Sequence, residues 1–187
     1  MGLVLASTSP QRFAILTALG ADFRAVAPTY DEVPIPGTPE QVVVARALGK
    51  ARSVAERMPD RPVLGVDTEV VLDGEVLGQP ADPDQARAML RRLAGREHRV
   101  LSGVAVIADA ERTGVEETRV RLIALDEAGI EAEIVRGEWR GRAGGYAIQE
   151  GGGGLVAAIE GDYDNVVGLP VALALGLLEG GGNPVTR

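Results

Sequence analysis

Three helix starts share one device: a side chain that can cap, followed at once by proline. Ser9-Pro10, Thr38-Pro39 and Asp82-Pro83 each place an N-capping oxygen ahead of a proline at the first helical position. There the missing N–H is not needed and the ring presets the backbone. Gln41 and Gln85 stand three residues after two of these caps, the spacing of a capping box. Gly20 ends the first helix, and the second runs to about Met58 with Val43, Ala47, Ala51, Val54 and Met58 on its buried face. The third runs to about Leu93, Asp126 caps a fourth, and Pro170 opens a last one reaching about Leu178.

The apolar runs between those helices read as strands: Leu3 to Ala6, Val63 to Val66 ending at Asp67-Thr68, Arg99 to Ala108, Glu117 to Ala124 and Leu155 to Ile159. Asp73-Gly74 joins Val70–Leu72 to Glu75–Leu77 as a two-residue hairpin. The stretch around Tyr30-Asp31-Glu32 reads as irregular, Gly161 to Asn165 as a polar loop, and the tail from Gly180 as loose. Strands mixed with helices, without repeat or long linker, give an α/β fold: one domain over residues 1–187 around a mixed sheet with flanking helices.

At 187 residues and 45% hydrophobic content, the chain has the length and composition for a real core. A formal net charge of −8 repels a phosphate backbone, so no nucleic-acid partner is expected. No apolar run is long enough to span a bilayer, which leads to the expectation of a cytoplasmic protein. Without Cys there is no thiolate chemistry, and a single histidine, His98, cannot build a multi-His metal site. Carboxylate-bound hard metals stay open. Nineteen residues are Lys or Arg, and Lys50 is the only lysine, which singles it out.

Several residues allow chemistry while also having plainer roles. The first strand leads through Ser7-Thr8-Ser9 into a helix with Arg12 in its first turn; hydroxyls, unpaired amides and a guanidinium there suit a phosphate, or make an ordinary capped helix. Asp67, closing an apolar run, can hold a divalent cation or take a proton from water, or it can bond the next turn. Glu32 and Glu69 could share such a cation, although Glu69 reads as solvent-facing. Lys50 can offset phosphate charge or face solvent on its helix. His98 reads as structural, and Asp162–Asn165 fails the spacing of a calcium loop.

Six ordered blocks carry a resemblance: Leu5 to Arg12, Gly65-Val66-Asp67-Thr68, Leu77-Gly78-Gln79-Pro80, Ser102-Gly103-Val104-Ala105, Gly144 to Gln149, and Gly161-Asp162-Tyr163 with Asn165 to Pro170. Together they resemble the Maf family of nucleoside triphosphate pyrophosphatases, nearest its dTTP/UTP branch, over nearly the whole chain. The resemblance implies a twisted mixed sheet in two lobes around a cleft, similar to inosine triphosphate pyrophosphatases. It also implies a divalent cation (Mg²⁺ or Mn²⁺), a homodimer, and hydrolysis of a nucleoside triphosphate to the monophosphate and pyrophosphate. Asp67 is then the proton acceptor and, with Glu32, the metal ligand. Ser7, Ser9, Arg12, Glu32, Lys50, Thr68, Gln79 and Gln149 bind substrate, and the amide of Gln149 can both donate to and accept from a pyrimidine edge. Gln11 and Gln79 stand where the family usually has Arg and Lys, so two positive charges are lost. The alternative is a catalytically weakened nucleotide-binding regulator of cell division.

Overall fold

In the computed structural model, which describes residues 2–148 and 154–180, the caps read from sequence all form. Helix α1 (Pro10–Ala18) is capped by Ser9, whose hydroxyl accepts the Arg12 N–H. Helix α2 (Pro39–Ala55) carries the full capping box: Thr38 accepts from the Gln41 N–H while the Gln41 side chain accepts from the Thr38 N–H. Asp82 caps α3 (Pro83–Leu93), Asp126 caps α4 (Glu127–Arg136), and Pro170 precedes α6 (Val171–Leu178).

The strands are β1 (Leu3–Ala6), β2 (Phe23–Val26), β3 (Val63–Leu72), β4 (Glu75–Val76), β5 (Glu97–Ile107), β6 (Glu111–Leu122) and β7 (Val156–Glu160). They form a mixed sheet in the order β2-β1-β3-β5-β6-β7, with β4 on β3. β1 runs parallel to β2 and β3, whereas the β3–β4 and β6–β7 pairs are antiparallel. Asp73 and Gly74 turn the β3–β4 hairpin with φ of 52° and 83°, the left-handed pair that a two-residue hairpin requires.

Four sequence expectations are corrected. β3 does not end at Asp67-Thr68 but continues through them, because Lys50 pairs with Asp67 Oδ1 inside the strand. Glu69 is buried and partnered instead of facing solvent, since nine of the ten β3 residues are buried and neither face of the strand is open. The stretch after Gly20 contains β2, an edge strand only four residues long and without the alternation that would have marked it. A one-turn helix, α5 (Tyr163–Val167), occupies the segment read as a polar loop; Asp162 Oδ1 accepts the Asp164 N–H at its start. Gln149, the glycines at 151–153 and the tail beyond Gly180 lie outside the described residues.

The chain divides into two compact units. The first comprises Met1–Thr68, Ser102–Glu116 and Gly168–Arg187; the second comprises Glu69–Leu101 and Glu117–Val167. In the first unit, Leu5, Leu64, Val66, Val104 and Val106 pack with Leu16 of α1 and Leu173 and Leu177 of α6. Val4, Ala6, Val63 and Ala105 pack with Ala47, Ala51 and Val54 of α2. Small residues on both sides let α2 lie very close to the strands. A Cβ built on Gly65 would meet the Ala47 carbonyl oxygen at 2.3 Å, and one on Gly103 would meet the Val43 carbonyl oxygen at 2.2 Å.

The second unit is built around Leu72, Leu90, Leu93, Leu122, Ile130 and Trp139. Arg87 and Arg91 of α3 pair with Glu131 and Glu127 of α4, the first bridge half-buried and the second exposed and worth little on its own. Inside it, Asn165 donates to the Val100 carbonyl and the Thr118 hydroxyl. His98 Nε2 lies 2.6 Å from Tyr146 Oη, and His98 Nδ1 is buried with no hydrogen-bond partner.

Burial pushes His98 down to about 4, against a weaker opposing pull from Glu97. The neutral ring therefore costs nothing above the ordinary histidine value, and the unfolded chain takes up a proton that the fold refuses below it. Stability attributable to His98 is constant above about pH 6.5 and falls by roughly 3 kcal/mol between pH 6.5 and 4. Urea unfolding across that range should show His98→Gln losing less stability on acidification than the parent. Parallel pH curves would show that His98 is not the group responsible.

Candidate active site

The site is built within the first unit, by three elements that α2 and the sheet bring together. Arg46 and Lys50 lie one helical turn apart on α2, so they project from the same face. Ala47 and Ala51 beside them pack onto the strands, which carries both cations to β3. Asp67 on β3 is 4% exposed, and the segment between β2 and α2 supplies Glu32, whose side chain is half-exposed.

Lys50 Nζ is the hub: it lies 2.6 Å from Asp67 Oδ1 and 2.6 Å from Glu32 Oε1. The other two carboxylate oxygens face Arg46, whose Nη1 is 3.9 Å from Glu32 Oε2 and 4.0 Å from Asp67 Oδ2. Asp67 Oδ2 is buried and accepts no hydrogen bond. Burial works to raise the Glu32 pKa, but the hydrogen bond and charge of Lys50, with Arg46 and Arg12 behind, prevail and hold it below the ordinary glutamate value.

Arg12, in the first turn of α1, is the second hub. Its Nε donates to the Gly168 carbonyl at 2.8 Å, Nη2 to Thr68 Oγ1 at 3.1 Å and Nη1 to Ser7 Oγ at 3.3 Å. Desolvation lowers its pKa, while Asp67 and Glu32 pull the other way; a guanidinium stays charged regardless. Thr68 Oγ1 also shares a hydrogen bond of 2.8 Å with Ser102 Oγ on β5. Ser7 Oγ accepts the Ser9 N–H, and Ser9 Oγ donates to Gln11 Oε1. Ser7, Arg12, Thr68, Ser102 and Gly168 thus form one polar circuit next to the carboxylate pair.

Of the residues singled out from sequence, Ser7, Ser9, Arg12, Glu32, Lys50, Asp67 and Thr68 come together in this unit. Gln79 belongs to the second unit, exposed in the loop before α3, and Gln149 lies outside the described residues. Sequence reasoning passed over Arg46 and named Ser102 only within the block Ser102-Gly103-Val104-Ala105, without a role. The one available signal for Arg46 was its position four residues before Lys50 on the face flanking Ala47.

Two carboxylates drawn onto one ammonium, with further guanidinium groups around them, put together cationic groups of the kind that pair with phosphates and carboxylates of the kind that ligate hard cations. The chain belongs to the Maf family: the model of the Maf-like protein family matches residues 2–180. It is similar to the dTTP/UTP pyrophosphatase of Symbiobacterium thermophilum, 45% identical over 185 residues, which are 98% of this chain and 95% of the relative. The dTTP/UTP pyrophosphatases of Pelotomaculum thermopropionicum (44% over 181 residues, 95% of each chain) and Myxococcus xanthus (45% over 184 residues, 98% and 94%) match comparably. Among solved structures, the Staphylococcus aureus Ham1 protein aligns over 64% of this chain and 71% of its own, with a TM-score of 0.46 and 15% identity.

Proposed function

We propose that the chain is a nucleoside triphosphate pyrophosphatase that hydrolyses dTTP and UTP to the monophosphate and pyrophosphate. The observation that carries this reading is the division of labour on Asp67: Lys50 engages Oδ1 at 2.6 Å, and Oδ2 is left buried without a hydrogen-bond partner. The names borne by relatives at 44–45% identity support the choice of nucleotide.

Oδ2 is the oxygen that accepts the proton of the attacking water. As that water's oxygen bonds to the α-phosphorus, the bridging bond to the β-phosphate breaks and pyrophosphate leaves with the electron pair. Lys50 fixes the carboxylate so that Oδ2 is presented, and Arg12 and Lys50 place positive charge where the phosphates carry negative charge. Thr68, positioned by Arg12 and Ser102, and Gln149 select the base. Ser7 and Ser9 hold the turn into α1.

The donor set fits a divalent cation. No group of three or more potential ligands gathers among the described residues, but Mg²⁺ is commonly held by one or two carboxylates together with substrate phosphates. Asp67 and Glu32 are the two carboxylates that would hold it. When bound, it would neutralise phosphate charge and polarise the scissile phosphoryl group. A homodimer is the assembly we assign, which sedimentation equilibrium reads directly.

The test is release of pyrophosphate against orthophosphate from dTTP, UTP, CTP, GTP and ATP with Mg²⁺ or Mn²⁺, with Asp67→Asn alongside. Pyrophosphate from dTTP and UTP in the parent is the expected result. Nucleotide bound without hydrolysis would make the chain a nucleotide-binding regulator instead. Gln79→Lys restores the cation that the family resemblance expects at that position and should lower the apparent KM for dTTP about tenfold, the scale of one charge-assisted hydrogen bond. An unchanged KM would remove residue 79 from the phosphate site.

A further inference from the structure

Glu32 reaches Lys50 from a segment that belongs to no regular element. Residues 27–36 are neither helix nor strand, so no ladder of backbone hydrogen bonds sets where that carboxylate lies. What holds the segment is α2. After β2 the chain runs back along one face of the helix, with about one contact per turn. Arg57, just past the end of α2, donates from Nη2 to the Ala27 carbonyl at 2.8 Å, and Ser53 Oγ accepts the Thr29 N–H at 3.2 Å. The ring of Tyr30 lies over Gly49, and Glu32 Oε1 ends 2.6 Å from Lys50 Nζ. Positions 49, 50, 53 and 57 share a face because they are three or four residues apart. The Val33 N–H donates to the Asp31 carbonyl at 2.9 Å, which closes a three-residue turn with Glu32 at its apex.

Gly49 is the informative rung. Glycine in a helix interior loses more conformational freedom on folding than alanine would, so its presence there calls for a reason. A Cβ built on Gly49 would meet Tyr30 Cε2 at 2.2 Å, Cδ2 at 2.6 Å and Cζ at 2.7 Å: the half-buried ring fills the volume of the missing side chain. We propose that Tyr30 and Gly49 are a positioning pair. The ring, seated on bare helix backbone, fixes the register of residues 27–32 along α2, and so delivers the Glu32 carboxylate, two residues on, to Lys50 beside Asp67. Both residues act through Glu32. The assignment rests on the proposed pyrophosphatase reading only for what Glu32 holds there, a divalent cation shared with Asp67.

Mn²⁺ binding to the full chain in the absence of nucleotide, followed by electron paramagnetic resonance, tests the pair without turnover. Glu32→Gln should weaken binding about tenfold, by loss of one of two carboxylates. Gly49→Ala should weaken it by a similar factor, the low end of what displacing an outer partner of a metal ligand costs; α2 itself stays intact, since alanine is the better helix former. Tyr30→Phe keeps the ring and its seat and should bind Mn²⁺ like the parent. With Glu32→Gln already in place, Gly49→Ala should cost no further affinity, because the group it positions is gone.

Parent-like Mn²⁺ affinity in Gly49→Ala or in Glu32→Gln would overturn the proposal. So would a Tyr30→Phe as weak as Gly49→Ala, or a Gly49→Ala loss that persists undiminished in the Glu32→Gln background, which would make the contact merely structural. A parent chain that binds Mn²⁺ through Glu32 but releases no pyrophosphate from dTTP would count against the activity alone, with the positioning of Glu32 still decided by these affinities.

Discussion

Asp67→Asn should lower pyrophosphate release from dTTP by about 10²- to 10⁴-fold, the range expected when a general base is removed, with the fold retained. The amide is nearly isosteric with the carboxylate, so the strand geometry of β3 is kept. Lys50 still has Glu32 Oε1 at 2.6 Å, and an amide oxygen can still accept from Nζ. What disappears is the capacity of the buried second oxygen to take a proton, together with one negative charge facing Arg46. The loss should therefore fall mainly on kcat, and thermal unfolding should move little. Single-turnover kinetics with Mg²⁺ and dTTP would read the chemical step directly. A variant within tenfold of the parent, still making pyrophosphate, would assign the base elsewhere.

Much of this centre was legible because the chemistry used rare or rule-bound residues. Lys50 is the only lysine of the chain, and Asp67 closes an apolar run, so both stand out in the sequence. Caps and prolines fixed the starts of α1, α2 and α3 because their signals are local, requiring only three or four neighbouring residues. Arg46 was harder to read: in a chain whose cations are otherwise all arginine, only its place one helical turn before Lys50 separates it from an arginine that pairs on the surface, as Arg52 does with Glu111. Glu69 was misread for the converse reason, since its burial depends on β3 lying inside the sheet, and sheet order is a long-range property. β2 is short and lies at the sheet edge, where packing of one face gives too weak a pattern to register.

The largest stability effects should come from two glycines that contain no functional group. Gly65→Ala and Gly103→Ala each drive a methyl group into the backbone of α2, at Ala47 O and Ala51 N in the first case and at Val43 O and Val44 N in the second. Backbone cannot rotate aside as a side-chain tip can, so the helix itself must move away from β3 and β5. Overpacking of that kind costs typically 1–3 kcal/mol, and contact with backbone places these two at about 3, a fall in Tm of roughly 6–12 °C for a chain of this size. Activity should fall further than stability explains, because α2 carries Arg46 and Lys50 while Asp67 lies two residues beyond Gly65 on the opposing strand. Lifting the helix by a few tenths of an ångström lengthens the 2.6 Å contact between Lys50 and Asp67 and frees the carboxylate that it orients. Measured well below the lowered Tm, where each variant is fully folded, kcat for dTTP should remain depressed in Gly65→Ala and Gly103→Ala. By contrast, Gly74→Ala lies in the β3–β4 turn of the second unit, where a Cβ meets nothing within 4 Å; its cost is the strain of a φ of 83°, and kcat should be unchanged. Recovery of full kcat in the two helix-contact variants at low temperature would mean that α2 holds the cluster loosely, and that the close approach of helix to sheet serves stability alone.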